Sequence, residues 1–277
     1  MQEITHNIYI DHNAIGLVTG VIRTPEGSIL VDPPVRMDDV RSWRGATAKM
    51  IMGDAKFLVL LDTNFDRILT SKGCDCALIS QMNPPAPTKS RQSPQRPPED
   101  AQAASDGTDA TSSTPRWNNP EIWFSDTMNL HLASVSVQLE HHFGANSAGI
   151  WVHIPKEKVI FVGDTVLVDQ PPFLAYANLP LWLEELDLLA SRAFRGYQII
   201  SSRSGLVTQA QVQEMARKLV AIQDLLSPLV RKKTTLEEYL ALIPEIMNLY
   251  QVSPLDQELY LNRLQWGLTT WFETNIK

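Results

Sequence analysis

Asp62, Asn64, Asp66 and Arg67 follow directly on the apolar run Phe57 to Leu61 in the stretch FLVLLDTNFDRILT. An apolar run that stops abruptly in polar residues is how a buried strand delivers side chains to the rim of a sheet. Carboxylates and amides at this spacing are oxygen donors for a metal ion, or partners for the arginine among them. Two more aspartates end apolar runs in the same way, Asp32 in GSILVD and Asp164 in KVIFVGD. Were the fold to bring Asp62, Asp66 and Asp164 within a few ångströms, they would not all stay ionised without a compensating cation. Such a cation is either a hard metal ion or a guanidinium, with Arg67 and then Arg203 as the candidates.

Simpler local motifs do not account for these residues. DTNFD has the opening of a calcium-binding loop, but Arg67 stands where that loop needs its sixth-place glycine and Gly73 where it needs its twelfth-place glutamate. Ser204 lies between Arg203 and Gly205 and lacks the G-x-S-x-G elbow of a serine nucleophile. Cys74 and Cys76, the two cysteines, read as reduced thiols at a strand start, with a redox pair or a soft metal site as the alternative.

The chain has 277 residues, 44% of them apolar, and a formal net charge of −7. A sizeable core is expected. The acidic balance argues against nucleic acid or an anionic membrane as a partner, since both select a basic surface. No apolar run approaches the roughly 18–20 residues of a membrane span. MQEITHNIYIDHN has neither the basic nor the apolar region of a signal peptide, and a cytoplasmic protein is the expectation.

The elements that must position the polar residues alternate along the chain. AIGLVTGVIR (14–23) and SILVD (28–32) flank a Pro25-Glu26-Gly27 turn and predict a hairpin, followed by a helix near 37–49 and strands at 57–61 and 77–80. From Asn83 to Pro120 the composition shifts to Pro, Ser, Thr, Gln, Ala and Asp, which predicts a disordered insertion within one domain. Its P-x-x-P spacings leave polyproline docking open beside a solvated linker. Strand patterning returns at 134–142, 149–154 and 158–163, then an amphipathic helix at 181–194 and a short strand at 197–201. Thr208 to Gln211 and Thr234 to Glu237 are capping-box patterns, and Ser253-Pro254 is expected to open a last helix. That helix repeats Leu255, Leu259, Leu264, Leu268, Trp271 and Phe272 at core spacing, its two aromatics being available for a homodimer contact instead.

In this order the motifs resemble the metallo-β-lactamase fold, an α+β, four-layer αββα sandwich. GSILVDPP resembles the family's first motif, and KFLVLLDTNFDRILT falls where the family has a strand followed by H-x-H-x-D-H. HHFGANSAGIWVHIPKEKVIFVGDTVLV resembles the third and fourth motifs, and IISSRSGLVT the last. The resemblance implies a domain over residues 1–230, interrupted by the insertion at 83–120, with 231–277 as a helical extension packed on it.

What the resemblance implies for the site depends on each position. Intact members hold one or two metal ions, usually zinc, on imidazoles and carboxylates. Here Asp62, Asn64 and Arg67 replace three histidines and only Asp66 matches. Asn146, or Ala145 on a rigid count, replaces a fourth, and Ser204 the last. Asp164 keeps the position of the bridging carboxylate, and Asp32 and Arg203 mark the edge of the site. His6, His12, His131, His141, His142 and His153 fall at none of these positions, though His141 and His142 are near enough to reach the rim. The expectation is a protein without a metal cofactor, inactive as a zinc hydrolase, that binds or assembles with a protein or small molecule. The alternative is a hydrolase with a rebuilt oxygen-rich centre on Asp62, Asp66 and Asp164. Such a centre, supplemented by Asn64 and Asn146, would take Mn²⁺, Mg²⁺ or another hard divalent ion.

Overall fold

The computed structural model describes residues 1–12, 16–72, 74–81, 120–133, 135–232 and 234–276, together with the backbone but not the side chains of Met37, Phe65 and Asp66. The expected insertion at 83–120 lies outside the described residues except for Pro120.

The first half builds a sheet in simple chain order. Strands β1 (Gln2–Thr5), β2 (Ile8–Asp11), β3 (Thr19–Arg23) and β4 (Gly27–Val31) pair antiparallel. Helix α1 (Met37–Ala48) then carries the chain to β5 (Ala55–Val59), helix α2 (Phe65–Ser71) to β6 (Ala77–Gln81), and β7 (Ile122–Phe124) closes the edge, the last three strands pairing parallel. The second sheet runs β8 (Thr127–Leu132), β9 (Val135–His142), β10 (Gly149–Ile154) and β11 (Val159–Phe161) antiparallel. Helix α3 (Leu179–Ala190) precedes β12 (Gln198–Ser201), parallel to β11, and β13 (Gly205–Val207) is the edge. Helices α4 (Gln209–Lys232), α5 (Leu236–Leu240), α6 (Ile243–Met247) and α7 (Gln257–Asn275) complete the described chain. Among the described residues no helix is long and apolar enough to cross a membrane.

Side-chain alternation sorts the apolar residues into three cores and so makes four layers. Ile29, Val31, Val59 and Leu61 of the first sheet meet Leu139, Ile150, Val152 and Phe161 of the second between the sheets. Their alternates Leu30, Leu58 and Leu60 face outward, under Trp43 of α1 and Ile68 of α2. On the far side Trp151, Ile160 and Ile199 pack beneath Trp182 of α3, Met215 and Leu219 of α4 and Leu264 and Leu268 of α7. The fold is therefore the αββα sandwich expected.

Several boundaries move. The strand read as 57–61 is hydrogen-bonded over 55–59, and Leu60 and Leu61 run on as buried chain, bonded to Ile79 and Ile150 through single backbone bonds. The described strand after the first gap begins at Thr19, with Ala14 and Ile15 outside the described residues. The reciprocal Thr208 and Gln211 cap is present, whereas the second helix has Thr235 at its N-cap position with no side-chain cap bond. Ser253-Pro254 does not open the last helix. The Ser253 hydroxyl accepts from Leu255 N at 3.3 Å and holds a separate turn, so α7 starts at Gln257 and Leu255 is 94% exposed. Trp271 and Phe272 are buried against Tyr239 within the chain.

Phe161 of the second sheet lies against Gly20 of the first, its ring occupying the place of a side chain there, 2.6 Å from an added Cβ. Phe161→Ala is expected to cost about 3–5 kcal/mol in urea unfolding with the m-value unchanged. A loss below about 1 kcal/mol would show that this contact does not hold the sheets together.

Candidate functional site

The site forms where strand ends of both sheets meet. After β4 the backbone at Asp32 turns through φ +52°, a left-handed conformation costly for a residue with a side chain. Its carboxylate holds that turn in place. One oxygen accepts from Leu61 N at 2.9 Å, and the other from the Ser202 hydroxyl, just past β12, at 3.1 Å. Asp62 then folds the next turn, accepting from both the backbone and side-chain nitrogens of Asn64 at 2.8 and 2.9 Å. That turn starts α2, which places Arg67 one turn in and facing the sheets.

Arg67 is 1% exposed and its guanidinium touches three carboxylates at once. Nε lies 3.0 Å from Asp32, one terminal nitrogen donates to Asp62, and the other donates to Asp164 at 3.3 Å. Asp164 follows β11 in a short 3₁₀ turn entered through Gly163, whose φ is +60°. The second Asp164 oxygen accepts from Arg203 Nε at 2.9 Å. Asn146, in the turn between β9 and β10, accepts from Ala148 N at 3.0 Å and donates to Asn64 at 3.4 Å. A void of about 10 Å³ remains among Asp62, Asn146, Asp164 and Thr165, room for about one water.

The carboxylates titrate apart. Burial is the largest influence on Asp32, and it raises the pKa above the ordinary 3.8 despite Arg67. Burial is also the largest single influence on Asp164. There Arg203 and Arg67 outweigh it and hold the carboxyl well below its usual range, helped by Arg263 of α7.

Of the residues singled out in the sequence, Asp32, Asp62, Asn64, Arg67, Asn146, Asp164 and Arg203 form one connected network. Asp32, expected at the edge, faces Arg67 Nε and is tied to Leu61 and Ser202. The Asp66 side chain lies outside the described residues. Ala145 lines the same void, but the side chain that reaches across is that of Asn146. The Ser204 hydroxyl instead accepts from Val168 N at 3.0 Å and, at 3.5 Å, from Gln170, which also meets Tyr260 of α7. His141 turns back to the Ser147 carbonyl at 3.1 Å, and His142 stacks on Trp151. Among the described residues no three His, Cys, Asp or Glu side chains are grouped to hold a metal ion. Ser202 was not anticipated; nothing local marks it, since it reaches Asp32 only through tertiary packing.

A model of the metallo-beta-lactamase superfamily matches residues 80–196. Among solved structures, the sec-alkylsulfatase Pisa1 from Pseudomonas sp. aligns at TM-score 0.67 and 14% identity over 98% of this chain and 49% of that one. A metallo-beta-lactamase family protein from Thermus thermophilus aligns at TM-score 0.62 and 17% identity, covering 97% and 92%. The metallo-beta-lactamase from Pontibacter korlensis aligns at 0.55 and 15%, covering 79% and 97%. The chain is a metallo-β-lactamase-fold protein. No curated protein sequence matches it. This metallo-β-lactamase-fold chain spans about half the length of the sec-alkylsulfatase, and the likeness to all three structures is one of fold. The family match takes in Asn146 and Asp164, while Asp62 to Arg67 lie before it.

Removing the guanidinium would leave buried carboxylates facing one another. Arg67→Met is expected to destabilise the protein by about 3–5 kcal/mol, and adding Asp62→Asn to recover part of that loss. Chemical unfolding of the two single variants and the double variant measures the coupling. A variant within about 0.5 kcal/mol of the parent would show that Arg67 does not hold the network.

Proposed function

We propose that this metallo-β-lactamase-fold protein does not work as a metal-dependent hydrolase but by binding or assembly with a protein or small molecule. The observation that carries the reading is the placement of Arg67 among Asp32, Asp62 and Asp164. A fixed, non-titrating cation supplies there the positive charge that a metal ion would otherwise bring, and it repels an incoming metal.

The donor set fits zinc poorly. Zinc in catalytic sites favours neutral imidazole nitrogens with a carboxylate and an open position for water. At the positions that resemble the family's ligands this chain presents carboxylates, amides, a guanidinium and a hydroxyl. The oxygens of Asp62 and Asp164 already accept from Arg67, Asn64 and Arg203, and the void between them takes no more than about one water. Mn²⁺ or Mg²⁺ suits oxygen donors better, but six ligands in octahedral geometry would require Arg67 to leave. The solved neighbours named as a sulfatase or as lactamases support the fold; activity depends on the site and is not carried by likeness of fold.

Elemental analysis of protein purified without chelator and then equilibrated with excess Zn²⁺, Mn²⁺ or Mg²⁺ tests the proposal. The expected result is far less than one equivalent of any metal and a thermal midpoint unchanged by EDTA, because a ligand bound only to the native state would have raised it. Stoichiometric metal together with an EDTA-dependent fall in the midpoint would overturn the proposal. It would favour a hydrolase with an oxygen-rich centre on Asp62 and Asp164.

A further inference from the structure

A second charged cluster lies behind the site, between the second sheet and α3, and has no part in the Arg67 network. His142, the last residue of β9, stacks on Trp151 of β10 with ring centroids 3.5 Å apart and planes 15° from parallel. Its Nδ1 lies 3.5 Å from Glu185 of α3, and its Nε2 3.5 Å from Glu140 on its own strand. The other Glu140 oxygen faces His153 of β10, also at 3.5 Å. His142 also lines the small void bordered by Asp62 and Asp164, whose charges are paired with Arg67 and Arg203.

Glu185 is the critical member. It is buried, one oxygen accepts from Gly144 N at 2.8 Å, and the other finds no hydrogen-bond partner among the described residues. Among those residues, the ion-pair partner within reach of Glu185 is His142. A buried carboxylate is costly unless a cation compensates it. Gly144 is also held through its carbonyl, which accepts from Asn178 N at 2.8 Å as the chain enters α3. No side chain fits at Gly144, since an added Cβ would lie 2.5 Å from Trp182 Cα. The turn from Phe143 to Ala148, which bears Asn146, is thus pressed onto α3 through backbone bonds.

We propose that His142 is a pH-sensitive latch between α3 and the turn that carries Asn146. Protonated, it holds Glu185 and with it the turn; deprotonated, it leaves Glu185 buried without a cation, and the turn loosens from the helix. Burial by itself would push the imidazole toward its neutral form, but hydrogen bonding and charge from Glu140 and Glu185 outweigh it and raise the pKa above 6.5. Hydrogen bonding to His142, and then to His153, lowers Glu140 to about 2. The signs set the window. The His142 contribution to stability is complete below its ordinary 6.5 and is lost as pH rises through the higher folded value. The Glu140 contribution is complete above its ordinary 4.5 and is lost only as pH falls toward about 2. The latch is therefore fully closed between those two ordinary values and opens on the alkaline side.

Hydrogen exchange over residues 143–148, corrected for intrinsic rates, at about pH 5.5 and about pH 8.5 tests this on the whole chain, beside the NMR titration of the His142 ring. The expected result is exchange at least about tenfold faster at the higher pH in the parent, fast exchange at both in His142→Gln, and a ring titrating above 6.5. Equal protection at both pH values in the parent would overturn the proposal. So would the same pH step in His142→Gln, or a ring that titrates at or below 6.5. Should His142→Gln fail to fold, parent exchange and ring titration decide. Neither depends on metal content, so the result is separable from the test of function above.

Discussion

One buried guanidinium with three carboxylates around it is the constraint on which the rest of this structure depends. Asp32 comes from the end of β4 in the first sheet and Asp164 from the end of β11 in the second, so Arg67 joins the two sheets at their shared rim. Asp32 continues the connection through Ser202, beyond β12. Buried ion networks seldom stabilise a protein more than well-packed apolar groups of the same volume. What this one supplies is placement. With Arg67 present, Asp32, Asp62 and Asp164 each face a nitrogen donor. The left-handed turn at Asp32 persists because Leu61, Ser202 and Arg67 all hold its side chain.

The same fact explains how a metallo-β-lactamase fold can present, among its described residues, a rim of carboxylates, amides and guanidinium groups. Strands that end together at one edge bring their following residues together whatever those residues are. Imidazoles delivered to that edge suit zinc; here the edge receives carboxylates, amides and guanidinium groups, which satisfy one another. Fold and chemistry are thereby separable, and similarity to hydrolases speaks to the first alone. On the proposed reading, the rim is a structural joint, and any ligand is recognised by surfaces other than the small void left beside Asp62.

Much of this was legible in the sequence because it is local. The apolar run from Phe57 to Leu61 places Asp62 and Arg67 at its rim, whereas Asp32 and Asp164 join them only through the resemblance to the metallo-β-lactamase fold. Register and direction were less legible. The ladder at β5 ends two residues before the apolar run does, because Leu60 and Leu61 stay buried without continuing the strand pairing. Ser253-Pro254 has the chemistry of a helix start, yet serves a turn ahead of α7. Ser202 reaches the site by packing between distant elements, which no local pattern encodes. Glu185 likewise looks like a solvent-facing residue in LWLEELDLLA, and only the approach of Gly144 shows that it faces inward.

The turn between β9 and β10 is held from both sides by charge of different kinds. On the site side, Asn146 meets Asn64, which is fixed by Asp62 and, through it, by Arg67. A guanidinium does not lose its proton in the physiological range, so that hold is constant. On the helix side, Gly144 meets Glu185, whose compensating cation is an imidazole, the side chain that changes charge nearest neutrality. A permanent clamp and a titratable one on the same short turn make it the part of the rim able to respond to conditions while the sheets remain joined. Movement there would alter Asn146 and the void beside it without separating the carboxylates from Arg67, because none of the three lies in the turn.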